Sequence, residues 1–276
     1  MYSTAGGLWS ADEGYWILMG VVGLLLALLM GLALGLLGGG GSVLAVPILV
    51  YAFGFGAKEA VAASLAVVGL TSLFGAAEHW RRDRVRLRVA LVFGTIAAAG
   101  AYLGAHLAGF LSGAVQLSLF AAVMLIAALF MLRNGEPGEA RGEPPSGGSA
   151  GRLLLRFAAP GMGVGVLTGL VGVGGGFLIV PALALLGGVP MEAAVGTSLL
   201  IVAVNSFAGF AGYLGEAEVP WGLVSLFVVL AVTGSFAGAY LVRFVPQHAL
   251  KRGFAVFLVA MALLMLYENR EAIPLA

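Results

Sequence analysis

The chain has 276 residues, of which 61% are hydrophobic and 10% are charged, and its formal net charge is +1. Soluble domains have about 45–50% apolar and about 25% charged residues, so this composition excludes a water-soluble globular protein. The near-neutral charge also excludes nucleic-acid binding, which requires an excess of lysine and arginine. Because there is no cysteine, disulfides and thiolate metal sites are excluded as well.

The apolar residues are concentrated in long runs without a charged residue. These runs are 14–57, 60–77, 89–132, 157–191, 193–215, 219–242 and 253–267. A helix needs roughly 20 apolar residues to cross a hydrocarbon core about 30 Å thick. The segment before Trp16 carries Asp12 and Glu13 but no lysine or arginine, which is unlike a cleavable signal peptide. We therefore predict an all-α polytopic membrane protein whose first apolar run is retained.

The two halves of the chain resemble each other at a constant offset of 134 residues. Six glycine or proline positions repeat: Gly31, Gly35, Gly38, Gly40, Gly41 and Pro47 correspond to Gly165, Gly169, Gly172, Gly174, Gly175 and Pro181. A segment rich in glycine, proline and charge separates the halves. This organisation predicts a first transmembrane repeat at 16–132, a linker at 133–156 and a second transmembrane repeat at 157–268.

Each repeat is expected to contain one broken or re-entrant glycine-rich element and three further transmembrane helices. In the first repeat, the predicted elements are about 16–37, 43–55, 59–77, 89–108 and 115–132. In the second, they are about 157–171, 177–188, 191–211, 221–242 and 251–267. The stretches 43–55 and 177–188 are short for a full span, and re-entrant half-helices are the alternative. The total is eight to ten membrane segments.

Lysine and arginine cluster in three segments, 81–88, 133–156 and 243–252. Positively charged loops stay on the cytoplasmic side of the cell membrane. This rule places loop 78–88 and the linker inside and both termini outside. The repeat of loop 78–88 is the acidic loop 212–220, which the same topology places outside. The repeats are therefore expected to insert with opposite orientations, an arrangement typical of secondary transporters.

The strongest local signal is a glycine cluster in each repeat. Its residues are Gly38, Gly39, Gly40, Gly41 and Ser42 with Pro47 in the first copy, and Gly172, Gly174, Gly175 and Gly176 with Pro181 in the second. Each glycine destabilises a helix interior by about 1 kcal/mol, so both runs are expected to open the helix. Exposed backbone at membrane depth lines a cavity or is buried in protein. Free amides at such a break can bind an anion, which predicts a substrate site.

Other glycines and small polar residues admit two interpretations. The pairs Gly31/Gly35, Gly100/Gly104, Gly165/Gly169 and Gly234/Gly238 have the spacing of closely packed membrane helices. The helix after each cluster carries polar groups that could complete the shell of an oxyanion: Ser64, Thr71 and Ser72 in one half, and Thr197, Ser198, Asn205 and Ser206 in the other. Alternatively, such hydroxyls bond to carbonyls of their own helix.

Catalytic and cofactor motifs are not found in this sequence. There is no HExxH, no Ser/His/Asp set within a span, and no lysine after either glycine cluster to form a nucleotide-binding loop. We predict neither an enzyme nor a cofactor or metal site. His106 is the only histidine within a predicted span, where a proton relay and an interfacial position are both open.

The doubled motif resembles a known family. The tracts GLLGGGGSVLAVPIL with AVAASLAVV, and GLVGVGGGFLIVPAL with AVGTSLLIV, are similar to those of the TauE/SafE sulfite exporter family. The resemblance implies transport of sulfite, sulfoacetate or related organosulfonates, with export the commoner direction. It also implies a site at both glycine clusters with their prolines and around Ser64, Thr197 and Ser198.

Together, these observations predict a secondary transporter of a small sulfur-containing anion that works by alternating access. Its expected partners are the anionic substrate and the lipid bilayer. A passive anion channel without coupling is the alternative. The sequence leaves open the exact substrate, coupling to a proton or another ion, and the oligomeric state, for which a homodimer is one alternative.

Overall fold

The computed structural model describes residues 9–133, 150–172, 174–183, 189–215, 217, 219–241 and 247–270, and these ranges contain helices and turns but no strand. The α-helices in chain order are α1 (Trp9–Leu37), α2 (Ala45–Pro47), α3 (Ala57–Arg81), α4 (Leu87–Ala108), α5 (Gly113–Arg133), α6 (Ala150–Val171), α7 (Gly176–Pro181), α8 (Met191–Gly212), α9 (Trp221–Leu241) and α10 (Gln247–Glu268). A 3-10 segment, Gly38–Leu44, precedes α2, and a π-helical segment, Ile48–Ala52, follows it.

The described residues have the outer surface of a membrane protein. Four helical stretches are both long and apolar enough to cross a bilayer: Ala57–Arg81, Leu87–Ala108, Ala193–Gly212 and Trp221–Gly238. Large apolar side chains on the outward faces are exposed, among them Leu29, Leu91, Ile126, Val229 and Val256. Contiguous exposed apolar surface is rare on soluble monomers. The prediction of an all-helical, multi-pass membrane protein is thus confirmed.

The observed helix ends lie within a few residues of most predicted ends. Helix α6 begins at Ala150 rather than near 157, so the last residues of the predicted linker are helical. Leucine, alanine and arginine, which dominate 150–156, are good helix formers. Residues 134–149 of the linker and 184–188 of the second short stretch lie outside the described residues.

Contrary to the prediction, the first glycine run does not open the helix. Residues Gly38–Leu44 continue α1 as a 3-10 helix. The i to i+3 hydrogen bonds of a 3-10 helix keep the backbone paired. The second run does open, because Gly172, Gly174 and Gly175 adopt left-handed conformations with φ of 77°, 68° and 70°.

Each half of the chain packs its first helix against the other half. Helix α1 lies along α9, and its repeat equivalent α6 lies along α4. The contacts are reciprocal: a methyl group at Gly31 would overlap the carbonyl of Ala231, and one at Gly165 would overlap the carbonyl of Ala97. The remaining glycines of the paired motifs that face a neighbouring backbone are Gly100, Gly104, Gly169, Gly234 and Gly238. The packing interpretation of these motifs is confirmed for these residues.

Helices α3 and α8 cross at the centre of the bundle. A methyl group at Gly75 of α3 would lie 3.2 Å from Leu199 of α8, and one at Gly209 of α8 would lie 3.3 Å from Leu65 of α3. The residue numbers run in opposite directions along the contact, so the two helices are antiparallel. These helices are repeat equivalents, and at their crossing Ser206 of α8 packs on Gly69 of α3, where a methyl group would lie 3.3 Å from Ser206 Cβ.

We expect Gly165→Ala to lower the free energy of unfolding by about 1–3 kcal/mol, because the added methyl group overpacks the α4 interface. The matched control is Gly163→Ala on the same helix, where a methyl group meets no atom within 4 Å. That control should be neutral or stabilising by up to about 1 kcal/mol, since alanine is the better helix former. Thermal unfolding in detergent measures both, and equal stability of the two variants would contradict close packing at Gly165.

Candidate functional site

The two glycine-containing elements meet at the centre of the bundle. The 3-10 segment Gly38–Leu44 contacts α7, and both lie against α8. Within the first element, Gly41, Ser42 and Pro47 are buried. Gly41 packs on the backbone of Leu34, where a methyl group would overlap the main chain. The fold therefore brings the two predicted clusters together, with Gly38, Gly39 and Gly40 on the 3-10 segment.

The second cluster forms a tight turn between α6 and α7. A methyl group at Gly174 would lie 2.6 Å from Val68 Cγ1, 3.0 Å from Val202 Cγ1 and 3.1 Å from Ser206 Oγ. Val68 and Val202 lie near the middle of α3 and α8, so the turn is close to half-depth in the bundle. Gly176 begins α7 and Pro181 is its last residue. A side chain at Gly174 would clash with Val68 and press on the Ser206 hydroxyl.

The opened carboxyl end of α6 leaves backbone carbonyls without helical partners. The amide of Gly172 donates to the carbonyl of Thr168 at 2.8 Å. The carbonyl of Gly172 accepts a hydrogen bond from Ser64 Oγ at 2.6 Å, and the same hydroxyl is 2.8 Å from the carbonyl of Val61. Ser64, a predicted site residue, is thus in contact with the second glycine turn and stabilises it.

Two residues that were not predicted as site residues donate hydrogen bonds to other carbonyls at the carboxyl end of α6. Gln116 Nε2 donates to the carbonyl of Leu170 at 2.7 Å and to Tyr213 Oη at 2.9 Å. Tyr213 Oη donates to the carbonyl of Gly169 at 3.1 Å. Gln116 and Tyr213 are each 1% exposed, so the contact is buried. The sequence signal for Gln116 is an amide side chain inside an apolar run, whereas Tyr213 carries no comparable pattern.

Three of the predicted polar residues have hydrogen-bond partners within the protein, two of them on their own helix. Ser198 donates to the carbonyl of Val195 at 2.8 Å, and Thr71 donates to the carbonyl of Val67 at 2.7 Å. These are the bonds within the helix that were the alternative interpretation. Thr197 Oγ1 accepts the backbone N–H of Arg86 at 2.9 Å. Thr197 therefore contacts the arginine-rich loop at the end of the bundle.

Three other predicted residues are buried without a hydrogen-bond partner among the described residues. The atoms are Ser72 Oγ, Ser206 Oγ and both Nδ2 and Oδ1 of Asn205. All three side chains are fully buried. An unpaired polar group in a protein interior costs about 1–3 kcal/mol. The hydrogen-bonding capacity of these groups is unused within the described residues, and Ser206 faces the Gly174 turn.

Charged groups lie at the ends of the bundle. Glu78 and Arg82 form an ion pair of 2.7 Å at the carboxyl end of α3, where both side chains are partly exposed. The exposed His106 has Nδ1 3.1 Å from the carbonyl of Tyr102 on its own helix, and its ring packs on that tyrosine. This environment fits the interfacial interpretation of His106. The central polar groups are accordingly neutral.

The cavities beside these residues are small. A cleft of about 30 Å³ lies between α1, α3, α8 and α9, and a gap of about 10 Å³ lies beside Gly175. A water molecule needs at least about 10–15 Å³ of such space, so the cleft has room for about two. This cleft is therefore too small for an anion such as sulfite, although it is partly open at the carboxyl end of α3.

Comparison with known proteins identifies the class. Residues 23–265 match the family described as Sulfite exporter TauE/SafE, and the chain belongs to this family of membrane transporters. A probable membrane transporter protein of Xylella fastidiosa (strain 9a5c) is 33% identical over 87% of this chain and 92% of its own. The probable membrane transporter protein YdhB of Bacillus subtilis (strain 168) is 26% identical over 88% and 99%. No solved structure matches the chain.

Substitutions of two hydroxyls should separate a structural role from a ligand-binding role. We expect Ser64→Ala to lower the free energy of unfolding by about 1–3 kcal/mol, because the buried carbonyl of Gly172 loses its donor. We expect Ser206→Ala to cause no loss, since its hydroxyl has no partner to leave unpaired. Thermal unfolding of both variants checks this, and a destabilised Ser206→Ala protein would show that the hydroxyl has a structural partner.

Proposed function

We propose that the protein is a secondary transporter that exports a small sulfur-containing anion, such as sulfite, sulfoacetate or a related organosulfonate, across the cell membrane by alternating access. The observation that carries this proposal is the set of buried, unpartnered groups of Ser72, Asn205 and Ser206 in the central helices. The family description supports the sulfur anion and the direction of export.

The chemistry of the centre suits an anion without a buried cation. Hydroxyl and amide groups donate hydrogen bonds to oxyanions, and such bonds are stronger in a low-dielectric interior than in water. The central parts of α3 and α8 lie within residues 60–77 and 193–215, which contain no lysine or arginine. The left-handed conformation of Gly174 brings the turn into close contact with α3 and α8, where a methyl group would lie 2.6 Å from Val68 Cγ1 and 3.1 Å from Ser206 Oγ. A substrate held by neutral donors can leave again, as a transport cycle requires.

The arrangement of the repeats supports alternating access. Helices α3 and α8, which are repeat equivalents, cross in antiparallel directions through Gly75 and Gly209. Inverted repeats with a central site are typical of secondary transporters. We propose that the repeats insert in opposite orientations, with loop 78–88 and the linker cytoplasmic and both termini outside. The structure, in which the central cleft is too small for the substrate, is one state of such a cycle.

Transport should depend on the unpartnered hydroxyls. In proteoliposomes, we expect Ser72→Ala and Ser206→Ala to reduce the flux of labelled sulfite by about tenfold each, the equivalent of about one hydrogen bond to a charged ligand. The control is Ser225→Ala, whose hydroxyl donates to the carbonyl of Gly222 on an exposed face. Sulfoacetate and thiosulfate complete the substrate panel.

The outcomes of the flux assay discriminate between functions. Saturable flux that falls in the two variants but not in the control supports the proposed site. Flux that is linear in concentration and independent of any ion gradient would identify a passive anion channel instead. No flux of any panel anion above that of empty liposomes would contradict the proposal.

The proposed orientation predicts opposite locations for two equivalent loops. A reporter active only in the cytoplasm should be active when it is fused after residue 88 and inactive when it is fused after residue 218. The physical reason is the arginine-rich sequence of the first loop and the acidic sequence of the second. Equal activity of the two fusions would refute inverted insertion.

A further inference from the structure

The two ends of the α3/α8 crossing differ in how tightly they are packed. At the carboxyl end of α3, the small cleft is lined by residues that include Gly35, Thr71, Gly75, Glu78, His79 and Ser235. The ion pair between Glu78 and Arg82 is partly exposed to solvent at this end. This end of the crossing is thus partly open toward the loop that carries the arginines.

The repeat equivalents of these residues lie at the opposite end of the crossing. They are Gly169, Asn205, Gly209, Gly212, Tyr213 and Ala101. Here the space is filled, because Gly212 packs against α4, where a methyl group would lie 2.6 Å from Ala105 Cβ and 3.2 Å from the carbonyl of Tyr102. Tyr213, the equivalent of His79, is 1% exposed.

Three hydrogen bonds made by Gln116 and Tyr213 link α5, α6 and the end of α8 at this filled end. Gln116 at the start of α5 donates to Tyr213 after α8, and Tyr213 donates to the carbonyl of Gly169 near the end of α6. Gln116 also donates to the carbonyl of Leu170 at 2.7 Å. The partners of these side chains are the last carbonyls of α6, next to the glycine turn. Water can replace the side chains at such carbonyls when the helices separate.

We infer that the contact between Gln116 and Tyr213 is the closed gate of the substrate path at the carboxyl end of α8, and that the cleft beside His79 is the open entrance at the other end. This inference rests on the proposed transport function, for which it identifies two gating residues. Breaking the contact frees the end of α6 and opens the path toward Asn205 and Ser206. The structure is then the state that faces the arginine-rich loop.

Single-cysteine labelling can test the gate, because the chain has no cysteine of its own. Ser235→Cys and Ala101→Cys are repeat equivalents at the open and the closed end. A membrane-impermeant methanethiosulfonate, applied from either side of membrane vesicles without any added anion, should label Ser235→Cys from the side of the arginine-rich loop. It should leave Ala101→Cys unlabelled from the other side.

Opening the gate should then reverse the pattern. We expect Tyr213→Phe or Gln116→Leu, added to Ala101→Cys, to raise its labelling rate by about tenfold, since each removes at least one hydrogen bond from the closed state. The labelling of Ser235→Cys should fall in the same backgrounds. The matched control is Tyr240→Phe, because Tyr240 is largely exposed on the outward face of α9 and should change neither rate.

Equal labelling of the two cysteines, or no effect of Tyr213→Phe and Gln116→Leu, would overturn the gate. Thr71→Cys and Asn205→Cys form a second equivalent pair, in which cysteine is no larger than the residue it replaces, should Ala101→Cys fail to fold. Labelling does not depend on substrate. The expected labelling without anion flux would therefore refute only the proposed function, whereas flux with the opposite labelling would refute only the gate.

Discussion

The pairing of backbone carbonyls at the carboxyl end of α6 is the constraint around which the centre is organised. A helix that ends inside a membrane protein leaves carbonyls that lipid cannot satisfy. Here three side chains from three other helices supply the donors: Ser64 from α3, Gln116 from α5 and Tyr213 after α8. Because each donor must reach the same helix end, these bonds hold α3, α5 and α8 around the glycine turn.

The two glycine clusters pair their backbone carbonyls in different ways. The first continues as a 3-10 helix and pairs its carbonyls within its own chain segment. The second turns through three left-handed glycines and takes donors from its surroundings. The divergence makes the two ends of the α3/α8 crossing unequal, although the helices around it are repeat equivalents. The proposed alternating access requires such inequality in any single state, because both ends cannot be open at once.

Patterns along the chain were sufficient to predict the helices, the duplication and the glycine contacts. Each of these features depends on local composition or on a repeated spacing. Ser64 and Gly172, which the sequence grouped together, are in contact through a hydrogen bond of 2.6 Å. What the sequence could not provide depends on tertiary contacts. Nothing local to Thr197 indicates that it accepts the amide of Arg86, and nothing local to Tyr213 indicates Gly169 as its partner. The 3-10 continuation was missed because glycine propensity describes an α-helix rather than this tighter form.

The exchange of first helices between the halves has a consequence for biosynthesis. Gly31 packs on Ala231, which is synthesised two hundred residues later. Helix α1 therefore enters the bilayer long before its partner α9 leaves the ribosome, and its glycine face must wait in contact with lipid or with the insertion machinery. By contrast, α4 has already been synthesised when its partner α6 emerges from the ribosome. Assembly of this protein is complete only when nearly the whole polypeptide has been made, and the amino-terminal half released alone would lack the neighbour that covers its first helix.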